Sequence, residues 1–311
     1  MVQISRKIFL ITLMGLTLVL YTDFILAQES IITNQYFGES LPGDSLQIFA
    51  PNRISNCDLH SSVYFTDNGK EIYYSKYYGD YTKHDGVWKI TCMKEKNGLW
   101  KAPIIITNGL TPFLAPDNKR LLFSSEDSWN IWITEKHGEA WTEPKNLGPL
   151  INFSKRQDVP CITNDSTLYF CAKHGKSMGI YRARLVRGQY SKPEKLGFGI
   201  NSKSSDYGPF VDPDETYLIF TSFRPGSYGL GDLYISFHLE DDTWTKPVNM
   251  GSRINTKYKE RFPYVSPDGN YLFINSNRPS KLNKQPIADG PGNIFWINTK
   301  IINEFRKKII K

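Results

Sequence analysis

Phe210-Val-Asp-Pro-Asp-Glu-Thr-Tyr-Leu-Ile-Phe220 and Tyr264-Val-Ser-Pro-Asp-Gly-Asn-Tyr-Leu-Phe273 are two copies of one phrase, and Phe113-Leu-Ala-Pro-Asp-Asn-Lys-Arg-Leu-Leu-Phe123 is a third. Worn copies stand at Cys161 to Phe170 and at Tyr64 to Tyr73. Aligned on Asn68, Asp117, Asp165, Asp214 and Asp268, the phrase returns at steps of 49, 48, 49 and 54 residues. A period of that length, built from short apolar runs, is the signature of an array of β-units.

Each copy reads as four strands. The first ends at the Pro-Asp turn, and the second is the apolar run after it, such as Tyr217-Leu-Ile-Phe220. Asp-Gly or Asp-Asn between them supplies the positive φ of a tight hairpin. Asn130-Ile-Trp-Ile133, Gly179-Ile-Tyr181, Asp232-Leu-Tyr-Ile235 and Asn293-Ile-Phe-Trp296 supply the third strand. The fourth carries an aromatic and then a proline, as in Trp100-Lys-Ala-Pro103, Trp141-Thr-Glu-Pro144, Tyr190-Ser-Lys-Pro193 and Trp244-Thr-Lys-Pro247. Proline cannot donate to a ladder, which suits an outermost strand. Four antiparallel strands of this kind are one propeller blade.

The fold class expected is therefore all-β, a single propeller of five four-stranded blades. The fifth copy lacks an aromatic-x-x-Pro strand, while Leu46-Gln-Ile-Phe-Ala-Pro51 stands unused ahead of the first copy. The N-terminal strand is expected to complete the last blade. Six blades, the alternative, would need about one more repeat of chain than residues 28 to 41 supply.

These residues resemble the Pro-Asp, WD-like propeller repeat best known from the TolB family, over residues 45 to about 300. The resemblance implies the propeller fold and a periplasmic or secreted address. It implies no particular activity, because such propellers serve as docking platforms, as accessory domains of hydrolases and occasionally as enzymes.

The flanks are read separately. Arg6-Lys7 precede the apolar run Ile8 to Leu20, and Ile25-Leu-Ala27 offers a small residue for cleavage, so residues 1–27 are expected to be a signal peptide. Residues 28–44 form a lead-in, residues 45–300 the propeller, and residues 301–311 a basic tail containing Arg306-Lys-Lys308. The mature chain is expected to be exported and monomeric, with no stable membrane insertion and no nucleic-acid partner. In an oxidising compartment the four cysteines, Cys57, Cys92, Cys161 and Cys171, allow one or two disulfides, with Cys161 and Cys171 on paired strands; buried free thiols are the equal alternative. No Cys-x-x-Cys or histidine cluster supports a metal, and no cofactor is expected.

Propellers bind ligands where the first strands begin. Three residues before the repeated proline position lie His60, Gly109, Gln157, Asp206 and Glu260, with Asp158 and Arg261 beside them. A second ring, ten residues past the aligned Asp or Asn, is Tyr78, Asp127, Gly175, Arg224 and Arg278. Carboxylates here could grip a polar ligand or a cation, or could tie neighbouring blades. The guanidiniums of Arg224 and Arg278 could bind carboxylate or phosphate, or serve as ties. Insertions at Tyr77 to Asp85 and Ser280 to Gly292 add recognition surface on the same face. The net charge of +7 favours anionic partners.

The function expected is a non-catalytic scaffold that binds an envelope protein or a glycan. The alternative is a glycan-active hydrolase using Asp206 and Glu260 as acid and base. No sialidase Asp-box and no Gly-x-Ser-x-Gly elbow is present.

Overall fold

The structure is a computed structural model that describes residues 35–55, 60–80, 83, 85–197, 199–280 and 292–310. The leader, Cys57 and nearly all of the Ser280 to Gly292 insertion lie outside the described residues.

Five antiparallel sheets form a ring, which makes the molecule a five-bladed β-propeller. Blade 1 comprises His60–Phe65, Glu71–Tyr78, Val87–Lys96 and Ile104–Asn108. The inner strands of blades 2 to 5 are Leu110–Leu114, Gln157–Ile162, Asp206–Val211 and Glu260–Val265. Each pairs outward through two longer strands to a two-residue outer strand. In blade 5 that outer strand is Gln47–Ile48, which pairs antiparallel with Asn293–Asn298, so the N-terminal segment closes the ring as expected.

The outer strand differs in detail from the sequence reading. The aromatic and the segment after the proline are separate pieces: Leu99–Trp100 pairs with Glu95 and Lys96, whereas Ile104–Asn108 forms the true fourth strand. The proline marks the break between them, because its missing N–H would leave a gap in a continuous ladder. The aromatic turns into the seam between blades. Trp141 of blade 2 meets Tyr73 of blade 1 at 5.7 Å, and Trp244 of blade 4 meets Tyr169 of blade 3 at 6.4 Å.

The Ile-Asn phrase after each outer strand also has a cause. Ile54, Ile151, Ile200 and Ile254 are all buried. The following Asn152, Asn201 and Asn255 each accept from the backbone N–H and donate to the carbonyl of one third-strand residue, namely Ile131, Ile180 and Leu233. Ser55 does the same for Ile294 in the closing blade.

The basic tail and the cysteines take forms that the sequence left open. Lys300–Ile309 is a helix that buries Ile301 and Ile302. Arg306 lies 4.9 Å over the Phe237 ring, and Arg253 pairs with Glu304. Its cations fall in the last turn, where they interact favourably with the negative end of the helix dipole. Among the cysteines, Cys92, Cys161 and Cys171 are buried free thiols. Ladder register sets Cys161 opposite Tyr169 and Cys171 opposite Asp158, so the pair proposed for a disulfide never faces across the hairpin. Burial pushes the Cys92 and Cys161 thiols up to about 12.

Candidate functional site at the channel mouth

Every inner strand carries a register shift near its start. In blades 2 to 5 the residues there are Thr111, Val159, Gly208 and Phe262, with φ of 48°, 49°, 63° and 51°, each just ahead of a proline. Left-handed backbone costs a β-branched or aromatic residue about 1–3 kcal/mol, and the packed ring must hold it. The extra residue has a geometric effect. Side chains three apart on a regular strand face opposite sides, but after a bulge both can face the channel. Tyr207 and Phe210, three apart, accordingly both reach blade 5, at Phe262 and Tyr264.

The channel is blocked midway by aromatic rings. Tyr64 packs on Phe113 at 5.2 Å and on Tyr264 at 4.7 Å, and Tyr264 packs on Phe210 at 5.8 Å. The Tyr264 hydroxyl accepts from the Phe65 N–H and donates to its carbonyl, sewing blade 5 to blade 1. Two separate mouths result: an upper one at the strand starts and a lower one at the Pro-Asp turns.

Most of the sequence-predicted residues gather at the upper mouth, but in different roles. Asp206 and Glu260 are fully buried. Asp206 accepts from the Ser202 N–H and hydroxyl, from Ser222 Oγ at 2.5 Å and from Arg224 Nη2 at 2.9 Å. Arg224 also donates to the Gly199 and Ile200 carbonyls. Blade 5 repeats the unit: Glu260 accepts from Thr256 N and Oγ1, from Ser276 and from Arg278 Nη2 at 2.9 Å, and Arg278 donates to the Ile254 carbonyl. Burial raises the Glu260 carboxyl above its usual range despite Arg278, and burial likewise lowers the Arg278 guanidinium despite Glu260. Both shifts mean that desolvation outweighs mutual attraction, the usual balance of a buried ion pair.

Asp158 and Arg261 belong to a more open array. Asp158 accepts from Thr111 Oγ1, Val159 N and Arg156 Nη2, and the Arg156 guanidinium lies 3.7 Å over the Trp129 ring. Arg261 donates to Asn275 Oδ1 and lies 5.4 Å over Phe262. Between them stands Tyr207, whose hydroxyl is raised by the surrounding protein and opposed by Arg261. Its ring stacks on Phe223 at 5.6 Å and 16°, and Phe223 is 39% exposed. Tyr228 and Leu230, more than half exposed, extend the apolar surface outward, while Tyr78 stands on blade 1 under Lys76 and Lys89. His60 is placed only by its backbone, which pairs with Lys76; its side chain lies outside the described residues. The Tyr77 to Asp85 insertion depends on close backbone approach, since a Cβ on Gly86 would sit 2.2 Å from the Tyr78 carbonyl.

Sequence alignment by constant spacing missed two points. Blade 3 has one residue fewer in its hairpin, so His174, not Gly175, stands where Arg224 does, with Ala172 in place of Ser222. It also passed over Tyr207, Phe223, Phe262, Arg156 and Trp129. Tyr207 was findable, since it occupies the register of Asp158 and Arg261. Among the described residues, no group of His, Cys, Asp and Glu forms a metal site.

The class so defined is a five-bladed β-propeller with two mouths. The fold is shared with solved structures at low identity. TolB from Acinetobacter baumannii is 17% identical with a TM-score of 0.48, over 78% of this chain and 55% of that one. An alpha-L-arabinofuranosidase from Lactobacillus brevis is 15% identical with a TM-score of 0.50, over 76% of this chain and 89% of that one. The β-propeller domain of the Trilobed protease from Pyrococcus furiosus is 12% identical, with a TM-score of 0.38, over 76% and 71%. The chain thus spans about half the length of the TolB structure. No family model and no curated protein matches the sequence.

Proposed function

We propose that the protein is an exported, non-catalytic propeller, of the Pro-Asp repeat kind, that binds an acidic glycan chain across its upper mouth. One observation carries the reading: the carboxylates nominated for acid and base work are fully buried in Arg-Ser ties, while the exposed groups beside them are aromatic faces and held guanidiniums. General acid–base chemistry needs a carboxyl within reach of the substrate. Asp206 and Glu260 have no exposed surface and are engaged by backbone, hydroxyl and guanidinium donors.

Phe223, exposed and backed by the half-buried Tyr207 and Phe262, offers a ring on which the C–H face of a sugar can rest. Arg261 and Arg156, each braced over an aromatic ring, provide the positive charge that uronate or sulfate groups seek. The net charge of +7 works in the same direction at longer range. Export is supported by the leader-like N-terminus, and among the described residues no helix is long and apolar enough to cross a membrane.

The test is a glycan array followed by titration calorimetry with a galacturonate hexamer, run beside a reducing-end release assay on the same oligomer. Saturable binding weakened about tenfold by Phe223→Ala, without release, is the expected result. Release of reducing ends that disappears in Asp158→Asn would make the protein an enzyme. A blank array together with a stoichiometric protein captured by the upper mouth, lost in Phe223→Ala, would replace the glycan with a protein partner.

A further inference from the structure

The lower mouth is a second, separate pit. It is a cavity of about 350 Å³ walled by the Pro-Asp hairpins, with contributions from all five blades. That volume is within the range of small-molecule sites. Its floor is the aromatic plug, through Phe113, Phe210 and Tyr264. Its rim carries Asp67, Asp212 and Asp214, and no Lys or Arg is among its lining residues.

The rim carboxylates are only partly engaged. Asp214 accepts from Asn164 Nδ2 through one oxygen, and Asp212 uses Oδ2 to accept from Thr216 and from the Asp214 N–H. Asp67 stands on the exposed rim. An apolar aromatic floor takes an apolar stem, and a carboxylate rim attracts a cation by charge. Neutral apolar ligands would satisfy the floor alone. Anions would be repelled by the rim. The upper mouth, with Arg156 and Arg261, has the opposite polarity.

We infer that the lower pit binds an organic cation, an ammonium or guanidinium on a short apolar stem, with the stem against Phe113, Phe210 and Tyr264 and the charge at Asp67 and Asp214. This site is independent of the upper mouth. Free alkylamines and the lysine or arginine side chain of a partner share this chemistry.

Titration calorimetry of the purified protein with n-hexylammonium, n-hexanol and n-hexanoate tests it, with N-acetyl-lysine amide as a further arm. One-to-one binding of n-hexylammonium is expected, weakened at least tenfold in Asp67→Asn/Asp214→Asn and absent for n-hexanoate. Equal binding of N-acetyl-lysine amide identifies a side chain as the source; binding of the free amine alone identifies a small amine. Both carboxylates are exposed, and melting of the double variant near the parent temperature shows that the fold survives. If it melts early, Asp67→Asn alone and the n-hexanol comparison decide. Absence of saturable n-hexylammonium binding, equal affinity for n-hexanol, or an unchanged affinity in the variants would overturn the proposal.

Discussion

Blades 4 and 5 hold their upper corners with charge, and blade 3 holds the same corner with aromatic rings. In blade 4, Ser202, Asp206, Ser222 and Arg224 form one hydrogen-bonded unit, with the guanidinium 4.7 Å over Tyr234. The corresponding residues of blade 3 are Phe153, Gln157, Ala172 and His174, so the carboxylate, the guanidinium and both hydroxyls have been lost. Phe153 takes the seat of the guanidinium, packing 5.2 Å from Tyr181 and 6.3 Å from Phe170. Gln157 remains fully buried with neither side-chain atom hydrogen-bonded in the described structure. The same corner is thus closed by two kinds of interaction, one ionic and one aromatic.

The largest effect should come from breaking an ionic corner. Arg278→Ala leaves Glu260 charged and buried without its partner, and should cost about 3–5 kcal/mol, read as a fall in the urea midpoint. His174→Ala, at the matching place in blade 3, is exposed and should change the midpoint little.

A mid-sized effect is expected at the seam between blades 1 and 2. Burial would raise the Glu71 carboxyl, but Lys136, the Tyr73 hydroxyl and Lys94 together bring it below its ordinary value. Glu71→Gln should cost about 2 kcal/mol at neutral pH. A depressed carboxyl contributes stability that is present above the unfolded-state value and lost as pH falls through the folded one. The gap between parent and Glu71→Gln should therefore close on acidification. Glu260, raised in the fold, has the opposite sign: its ionised form is penalised above its folded value, and acidification relieves that penalty. Melting curves from neutral to acid pH on parent, Glu71→Gln and Glu260→Gln check both signs.

A smaller and opposite change belongs to blade 3. Gln157→Leu removes two buried polar atoms that lack partners and should raise stability by about 1 kcal/mol. A loss of that size instead would mean that the amide is satisfied by an internal water.

The sequence is explicit about the ring because the repeat writes each hairpin in the same letters, and because an unused strand at one end answers a missing strand at the other. Ile54-Ser55, aligned with Ile151-Asn152, already pointed to closure, and the staple through Ser55 to Ile294 is its physical content. Less legible was the division of labour at the mouth. Asp206 and Asp158 are both acidic and sit in adjacent repeats at neighbouring registers, and both are buried, yet Asp206 is held by Arg224 and the serines of its own blade while Asp158 is held by Thr111 of the neighbouring blade and by Arg156, whose guanidinium lies over Trp129. The bulge that decides this depends on left-handed backbone at Thr111, Val159 and Phe262, residue types that do not announce such a conformation. The C-terminal helix was hidden for another reason: ten residues, fewer than three helical turns, set after a β-repeat leave too short a pattern to outweigh its surroundings.

Phe223 and Arg224 are neighbours in the chain, the one exposed at the upper mouth and the other held in the corner by Asp206. The affinity of a galacturonate hexamer for Phe223→Ala and Arg224→Ala, measured by titration calorimetry below the melting temperature of each, tests that assignment most directly. Phe223→Ala should lose affinity about tenfold with an unchanged melting temperature, and Arg224→Ala should melt lower with nearly parental affinity. Parental affinity in Phe223→Ala, together with binding abolished in a still-folded Arg224→Ala, would contradict it.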